Sequence, residues 1–309
     1  MHRIGIIGLG SIGRRHVDCL NHLGDHQIGA LRSKRGSLTE SKESVQDFHS
    51  WEEFYDFDPD AVIIATPTSL HVDSFHKLEK LAVPCLVEKP MHSNADLQVS
   101  ESFQSKILVA YCMRFHKLYQ YLNDYIKNNK GQIRSLSFER GYFLPLWHQY
   151  ADYRTEYAAR KDLGGGVVRT LSHELDLVLN WFGSCELIKS KVEHRSDLEI
   201  DVEDFAEFEL KSKDGVRAEF HLDFINQNYT NKGRIELENV LLSFDFNTGK
   251  LISEKSNETL LSFDANELDK MYIEQMKDFL QFIETGKSQN CSFDQAMNSL
   301  RLIDQIAPH

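Results

Sequence analysis

The sequence predicts an α/β chain of two domains: a doubly wound parallel sheet over residues 1–115, then an α/β domain over 116–309 built on a large, mostly antiparallel open sheet. Three observations carry this. The chain opens with an apolar β-rich run, "RIGII", that passes through "GLGSIG" into the helix-like "RRHVDCLNHLG". Strand-like and helix-like runs then alternate as far as residue 115, the order of a parallel sheet covered by helices. Beyond about residue 130 strands alternate in polarity, as in Ala206, Phe208 and Leu210 against Glu207 and Glu209, with "KDG" and "NTG" marking hairpin turns.

Taken in order, the first helix is followed by a strand, "QIGALRS", a helix-prone stretch around 38–55, and "DAVIIATP", an unbroken apolar strand of the parallel-sheet type. "SLHVDSFHKLEKLA" reads as a helix and "PCLVEKP" as a strand running into proline. "NADLQVSESFQSK" reads as a helix opened by an Asn cap, and "ILVAYCMRF" as the next strand. In the second domain the strands are "IRSLSFERGYFL", "ELIKSKVEH", "DFAEFELKS", "GVRAEFHLDF", "GRIELENVLLSFDF" and "KLISEK". A short helix over 173–182 ends in a glycine stop. Two amphipathic helices, "ELDKMYIEQMKDFLQFIETG" and "SFDQAMNSLRLIDQI", close the chain and can pack back on the first domain. With no repeat, low-complexity tract or long linker, the two domains are expected to pack together around a cleft.

At 309 residues with 41% hydrophobic content, each domain can hold a real core. The formal charge of -12, with no basic block longer than "RSKRG", argues against a nucleic-acid or anionic-membrane partner, since counterion release needs a basic surface. No leader pattern opens the chain and no run approaches the roughly 18 apolar residues of a membrane span, so a soluble, cytoplasmic protein is expected. The five cysteines are odd in number, widely spaced and lack CxxC, which fits reduced thiols; no disulfide and no metal site is expected.

Gly8, Gly10 and Gly13 make GxGxxG between a strand and a helix, the context in which the pattern binds a dinucleotide in a Rossmann domain. The first glycine allows the turn, the second lets the backbone approach a pyrophosphate, and the third lets helix and strand pack closely. Ser11 and Ile12 bring the helix N-terminus to the phosphates. The second strand ends about 20 residues later, where an NAD-binding chain carries Asp or Glu for the ribose hydroxyl. Here Arg32, Ser33, Lys34 and Arg35 offer a hydroxyl and cations instead, which suits a 2′-phosphate and makes NADP(H) the preferred cofactor, with NAD(H) as the alternative. "ATPTSLH" places Thr66, Pro67 and His71 just past a strand's carboxyl end, and "EKP" places Glu88 and Lys89 at the same edge. A lysine there can polarise a carbonyl or exchange a proton with a hydroxyl, although a Glu-Lys pair is more often a surface feature.

"GIIGLGSIGRRH", "ATPTSLH", "EKP", "YCMRFH" and "GGGVVRTLSHELDLVLNWFG", in this order, resemble the glucose-fructose oxidoreductase, inositol dehydrogenase and MocA family over essentially the whole chain. The resemblance implies an NAD(P)-dependent oxidoreductase acting on a sugar or sugar derivative. Lys89 and His173 would flank the carbon that exchanges hydride with nicotinamide. The triple glycine would bring its loop close to cofactor or substrate. Weighed alone, His173 could equally be a helix-start histidine without a task.

The sequence departs from the family pattern at Thr170, where an aspartate is common, and at Cys112, where an asparagine is. Thr170, at this catalytic position, cannot act as an anionic base, so either the chemistry has shifted and it only hydrogen-bonds substrate, or activity is reduced. "YFLPLWHQYADYRTEYAARKDLGGG" is similar to a subgroup associated with bacterial surface-carbohydrate pathways, including nonulosonate-type sugars. Trp147, Arg154 and Tyr157 would then offer a stacking face, a cation and a hydroxyl to a sugar or nucleotide-sugar, with Arg114 and Arg169 as further substrate contacts; the aromatic residues could equally plug the sheet. Relatives of this kind often pair through the open sheet, so a homodimer or homotetramer is expected. Rival readings are a catalytically weak NADP-binding sensor or accessory protein and a reductase of a non-sugar substrate.

Overall fold

The computed structural model describes every residue except 34–37, 39, 149, 265, 266 and 309. The chain forms two compact units: Met1–His92 with Asp96–Cys112 and Tyr272–Ala296, and Ser93–Ala95 with Met113–Met271 and Met297–His309.

In the first unit β1 (Arg3–Ile7) leads through the glycine turn into α1 (Ser11–Leu23), followed by β2 (Gln27–Leu31), β3 (Val45–Phe48), α2 (Trp51–Asp56), β4 (Ala61–Ile64), α3 (His71–Leu78), β5 (Cys85–Val87), α4 (Glu101–Gln104) and β6 (Ile107–Val109). The second unit contributes α5 (Lys117–Asn129), β7 (Ile133–Phe143), α6 (Leu144–Trp147), α7 (Val167–Thr170), α8 (His173–Phe182), β8 (Cys185–Glu193), β9 (Phe205–Ser212), β10 (Arg217–Asp223), β11 (Ile225–Leu237), β12 (Leu241–Asp245), β13 (Lys250–Ser253) and β14 (Glu258–Ser262). The chain closes with α9 (Glu267–Thr285), β15 (Cys291–Ser292) and α10 (Phe293–Ile306).

The first sheet has the order β15-β6-β5-β4-β1-β2-β3 and is parallel apart from β15, which runs antiparallel to β6. The chain order reverses at β1 and β4, so a switch point lies at their carboxyl ends. Ile4, Ile6, Ile28, Ile63 and Leu86 form the core with Val17 and Leu20 of α1, and Met276 and Phe279 of α9 seal it. The second sheet has the order β14-β13-β12-β11-β7-β10-β9-β8 and is antiparallel except where β10 runs parallel to β7. On its packed face Phe138 lies 5.2 Å from Phe220 and 6.2 Å from Trp181 of α8, between ring centroids. The other face carries charged side chains such as Glu139, Glu207 and Lys232.

Four local expectations need correction. Within 38–55, read as helix-prone, residues Val45–Phe48 form β3, because a short run ending in Phe48 can pair along the open side of β2 and bury that ring. In 94–106 only Glu101–Gln104 are helical, with no side-chain cap at Ser100. "ILVAYCMRF" leaves the strand after Val109 and turns through a 3₁₀ segment at Cys112–Phe115. "GRIELENVLLSFDF" is two strands, β11 and β12, paired as a hairpin. The sequence reading also lacked α5, β14 and β15. The first of these is capped by the His116 ring, which accepts from Leu118 N–H at 3.1 Å.

Candidate functional site

In the first unit the glycine turn is explained residue by residue. Gly8 has φ +94°, and a Cβ there would lie 2.8 Å from the Ala65 carbonyl oxygen. A Cβ on Gly13 would lie 2.2 Å from the Gly8 carbonyl oxygen, so only glycine lets α1 pack this tightly on the turn. Gly10 differs from both: nothing lies within 4 Å of the position its Cβ would take. It caps α1 with no side-chain bond, and the first turn, beginning Ser11-Ile12-Gly13, has no acidic residue. This leaves open space before a helix N-terminus whose N–H groups are turned outward, the arrangement that binds an anion. Gly10 and Ser11 are exposed and Ile12 is half-buried.

Past β4, the Thr66 hydroxyl is buried with no hydrogen-bond partner among the described residues, beside Pro67 at the same edge of the sheet. An open cradle at Gly10 together with this orphaned hydroxyl fits a dinucleotide. His71, expected to touch cofactor, is fully buried, with ring nitrogens 3.1 Å from Met91 O and 3.0 Å from Thr66 O. Burial holds its pKa below the ordinary range, and the ring braces the Thr66 loop to the segment beyond Lys89.

Past β5, Glu88 sits 2.8 Å from the buried His16 ring of α1 and accepts the Lys89 N–H at 3.3 Å. The "EKP" segment is thereby tied to the helix that follows the glycine turn. Lys89 is half-buried at the carboxyl edge that also carries the Gly10 cradle. His16 is a site residue that residue chemistry alone did not single out, although it stands inside the quoted "GRRH".

At the tip of β2, Arg32 is buried and bonded to Asp47 of β3 at 2.7 Å, and Ser33 is exposed. Lys34 and Arg35 lie outside the described residues. Asp47 supplies the carboxylate that the end of β2 lacks. It escaped notice because its strand was read as helical.

In the second unit the triple glycine serves local packing. A Cβ on Gly165 would meet the Tyr157 carbonyl oxygen at 2.2 Å, and one on Gly166, where φ is +106°, would meet Glu203 Oε1 at 2.4 Å. These contacts require glycine at Gly165 and Gly166 for local packing alone. Glu203 Oε1 accepts Val168 N–H at 3.2 Å, and burial raises its pKa despite that bond.

The loop delivers α7 and then His173, buried at the start of α8. Thr170 Oγ1 donates to the Tyr157 phenol oxygen at 3.3 Å, joining two of the expected substrate contacts. Trp147 is stacked on Tyr142 at 4.4 Å between centroids, also meets the rings of Tyr229 and His148, and stays 45% exposed. The three arginines are engaged within the protein. Arg114 forms a bidentate buried pair with Asp176 of α8 at 2.8 and 2.7 Å. Arg169 donates to Ser93 O, Ala307 O and Asp304, holding the C-terminal segment. Arg154 is bonded to Asp152 and Glu199 at the surface. The side chains of Arg114 and Arg169 thus bond carboxylates and carbonyls from distant segments within the fold. Arg140, not singled out from sequence, pairs with Glu174 at 2.6 Å, so with Arg114 it pins the first turn of α8 and hence the histidine that begins it.

The fold and the glycine turn define a first unit of the Rossmann type. Residues 2–106 match the Gfo/Idh/MocA model of the oxidoreductase family with an NAD-binding Rossmann fold, and the chain is similar to that family over this stretch. An inositol 2-dehydrogenase from Corynebacterium glutamicum is 25% identical over 204 residues, 62% of this chain and 57% of its own. The chain thus spans about half the length of the curated relatives it matches. Among solved structures, UDP-N-acetylglucosamine 3-dehydrogenase GnnA from Acidithiobacillus ferrooxidans has a TM-score of 0.78 at 20% identity, covering 99% of this chain and 96% of that one. The WlbA dehydrogenase from Bordetella pertussis, in complex with NADH and UDP-GlcNAcA, has a TM-score of 0.80 at 17% identity, covering 98% and 94%. Both show a shared fold over nearly the whole chain. No helix among the described residues is long and apolar enough to cross a membrane.

Proposed function

We propose that this chain is an NAD(P)-dependent oxidoreductase that moves hydride between nicotinamide and a carbinol or carbonyl carbon of a sugar or sugar derivative. The observation that carries the reading is the open anion cradle at Gly10 on the same sheet edge as Lys89. The glycine turn and the first N–H groups of α1 would hold the pyrophosphate, and Thr66 would bond the cofactor beyond it. The nicotinamide, when bound, supplies the hydride donor or acceptor. Lys89 gives or takes the proton at the substrate oxygen, its position fixed by Glu88 and His16. His173 assists from the start of α8, while Thr170 and Tyr157 bind hydroxyls and Trp147 stacks on a ring.

The cationic turn after β2 supports NADP(H) as the preferred cofactor, with NAD(H) accepted. The names of the similar dehydrogenases support inositols and nucleotide-linked amino sugars as substrate classes, and the subgroup resemblance of "YFLPLWHQYADYRTEYAARKDLGGG" supports surface-carbohydrate biosynthesis in the cytoplasm as the setting. The test is to follow nicotinamide absorbance with a panel of both classes, using the wild-type protein and Lys89→Met. Turnover should disappear in the variant while cofactor binding persists. Turnover surviving nearly intact would remove Lys89 from its role, and dinucleotide binding without turnover on any substrate would favour the sensor reading.

A further inference from the structure

Gly8 N–H donates to Leu31 O at 3.0 Å, so Arg32 emerges from β2 beside the glycine turn, the place from which a Rossmann domain reads the adenosine ribose. The sequence puts no carboxylate at that point, but the fold brings one from the next strand. Asp47 pairs in register with Ala30 of β2, and the carbonyl of the following Phe48 accepts Arg32 N–H at 2.9 Å. Asp47 Oδ2 accepts from Arg32 Nη1 at 2.7 Å and from Ser41 Oγ at 2.6 Å. The Arg32 side chain is only 3% exposed and that of Asp47 16%. Among the described residues Asp47 Oδ1 is buried without a hydrogen-bond partner.

We propose that Asp47 sets the cofactor selectivity of this chain, restraining the preference for a 2′-phosphate that Arg32 would otherwise impose. The inference rests on the dinucleotide-binding reading above and names the residue that chooses between its two cofactors. A guanidinium already committed to one carboxylate has little of its fork left for a phosphate. To use Arg32, a 2′-phosphate must either displace Asp47, leaving a buried carboxylate unpaired, or bind beside it against like-charge repulsion that solvent screens weakly. The ribose hydroxyl of NAD(H) is uncharged and meets neither obstacle.

The experiment is a fluorescence titration with NADPH and, separately, NADH on wild type, Asp47→Asn, Arg32→Gln and the double variant, with urea unfolding as a check on the fold. Asp47→Asn should tighten NADPH at least about tenfold while NADH changes by less than about threefold, the scale of removing one like charge near a buried anion. Adding Arg32→Gln should cancel the gain, because the gain runs through the released guanidinium. A selectivity ratio unchanged or lowered by Asp47→Asn would overturn the inference. Should that variant not fold, Asp47→Ser takes its place: NADPH tightened well beyond NADH supports the role, and an unmoved ratio refutes it. Wild-type protein that binds neither dinucleotide overturns the reading of the whole site, whereas binding of both with an unmoved ratio overturns only the part given to Asp47.

Discussion

Gly10→Ala separates a glycine kept for a ligand from glycines kept for the fold. At Gly10 φ is -75°, which alanine adopts freely, and no atom lies within 4 Å of the added methyl. Folding stability should therefore change by less than about 0.5 kcal/mol, the range of surface substitutions without a structural task. The same methyl would enter the space through which a bound pyrophosphate passes, and overpacking of this kind costs about 1–3 kcal/mol. That corresponds to roughly a 10- to 100-fold weakening of dinucleotide binding. Gly13→Ala is the contrast, since its methyl would lie 2.2 Å from the Gly8 carbonyl oxygen, far inside the 3.4 Å at which ordinary contact begins. It should cost about 3 kcal/mol of stability as well as binding. Urea unfolding and cofactor fluorescence, measured on both variants, give the two quantities. If Gly10→Ala binds NADH and NADPH as tightly as wild type does, no pyrophosphate crosses Gly10 and the cradle argument is wrong.

Two further predictions concern the second unit. The His221 pKa is raised, first by its hydrogen bond to Asp223 and then by its bond to Glu207, against an opposing burial effect. The protonated ring is therefore favoured in the folded state: its contribution is fully present below the unfolded value of about 6.5 and is lost as pH rises through the raised folded value. His221→Gln should lower the urea midpoint at pH 5.5 and leave it near wild type at pH 9, and equal losses at both would contradict the assignment. The charged outer face of the second sheet is also expected to pair copies of the chain as a homodimer or homotetramer, and sedimentation as a monomer at micromolar concentration would count against that.

The glycine turn, the strand ends carrying Thr66 and Lys89, and the presentation of His173 by a short helix were legible because each depends on neighbours in sequence. Local pattern also separated the parallel first sheet from the mostly antiparallel second. What escaped was set by distant partners. β3 has no apolar alternation of its own and becomes a strand by pairing with β2. The pairing of Arg114 with Asp176 and of Arg169 with Asp304 was not legible because these partners lie far apart in sequence. The carboxylate beside Arg32 was missed for the same reason, lying on a strand whose formation depends on its neighbour. The triple glycine was legible as a close approach, and the Tyr157 carbonyl and the Glu203 carboxylate, distant or unremarked in sequence, are groups that approach it.

The most direct measurement is a fluorescence titration of the purified wild-type protein with NADPH and with NADH. Saturable, stoichiometric binding of a dinucleotide, at affinities that Gly10→Ala weakens without lowering stability, is the predicted result. Failure of both to bind, with the fold intact, would contradict the claim that this chain works on a nicotinamide cofactor.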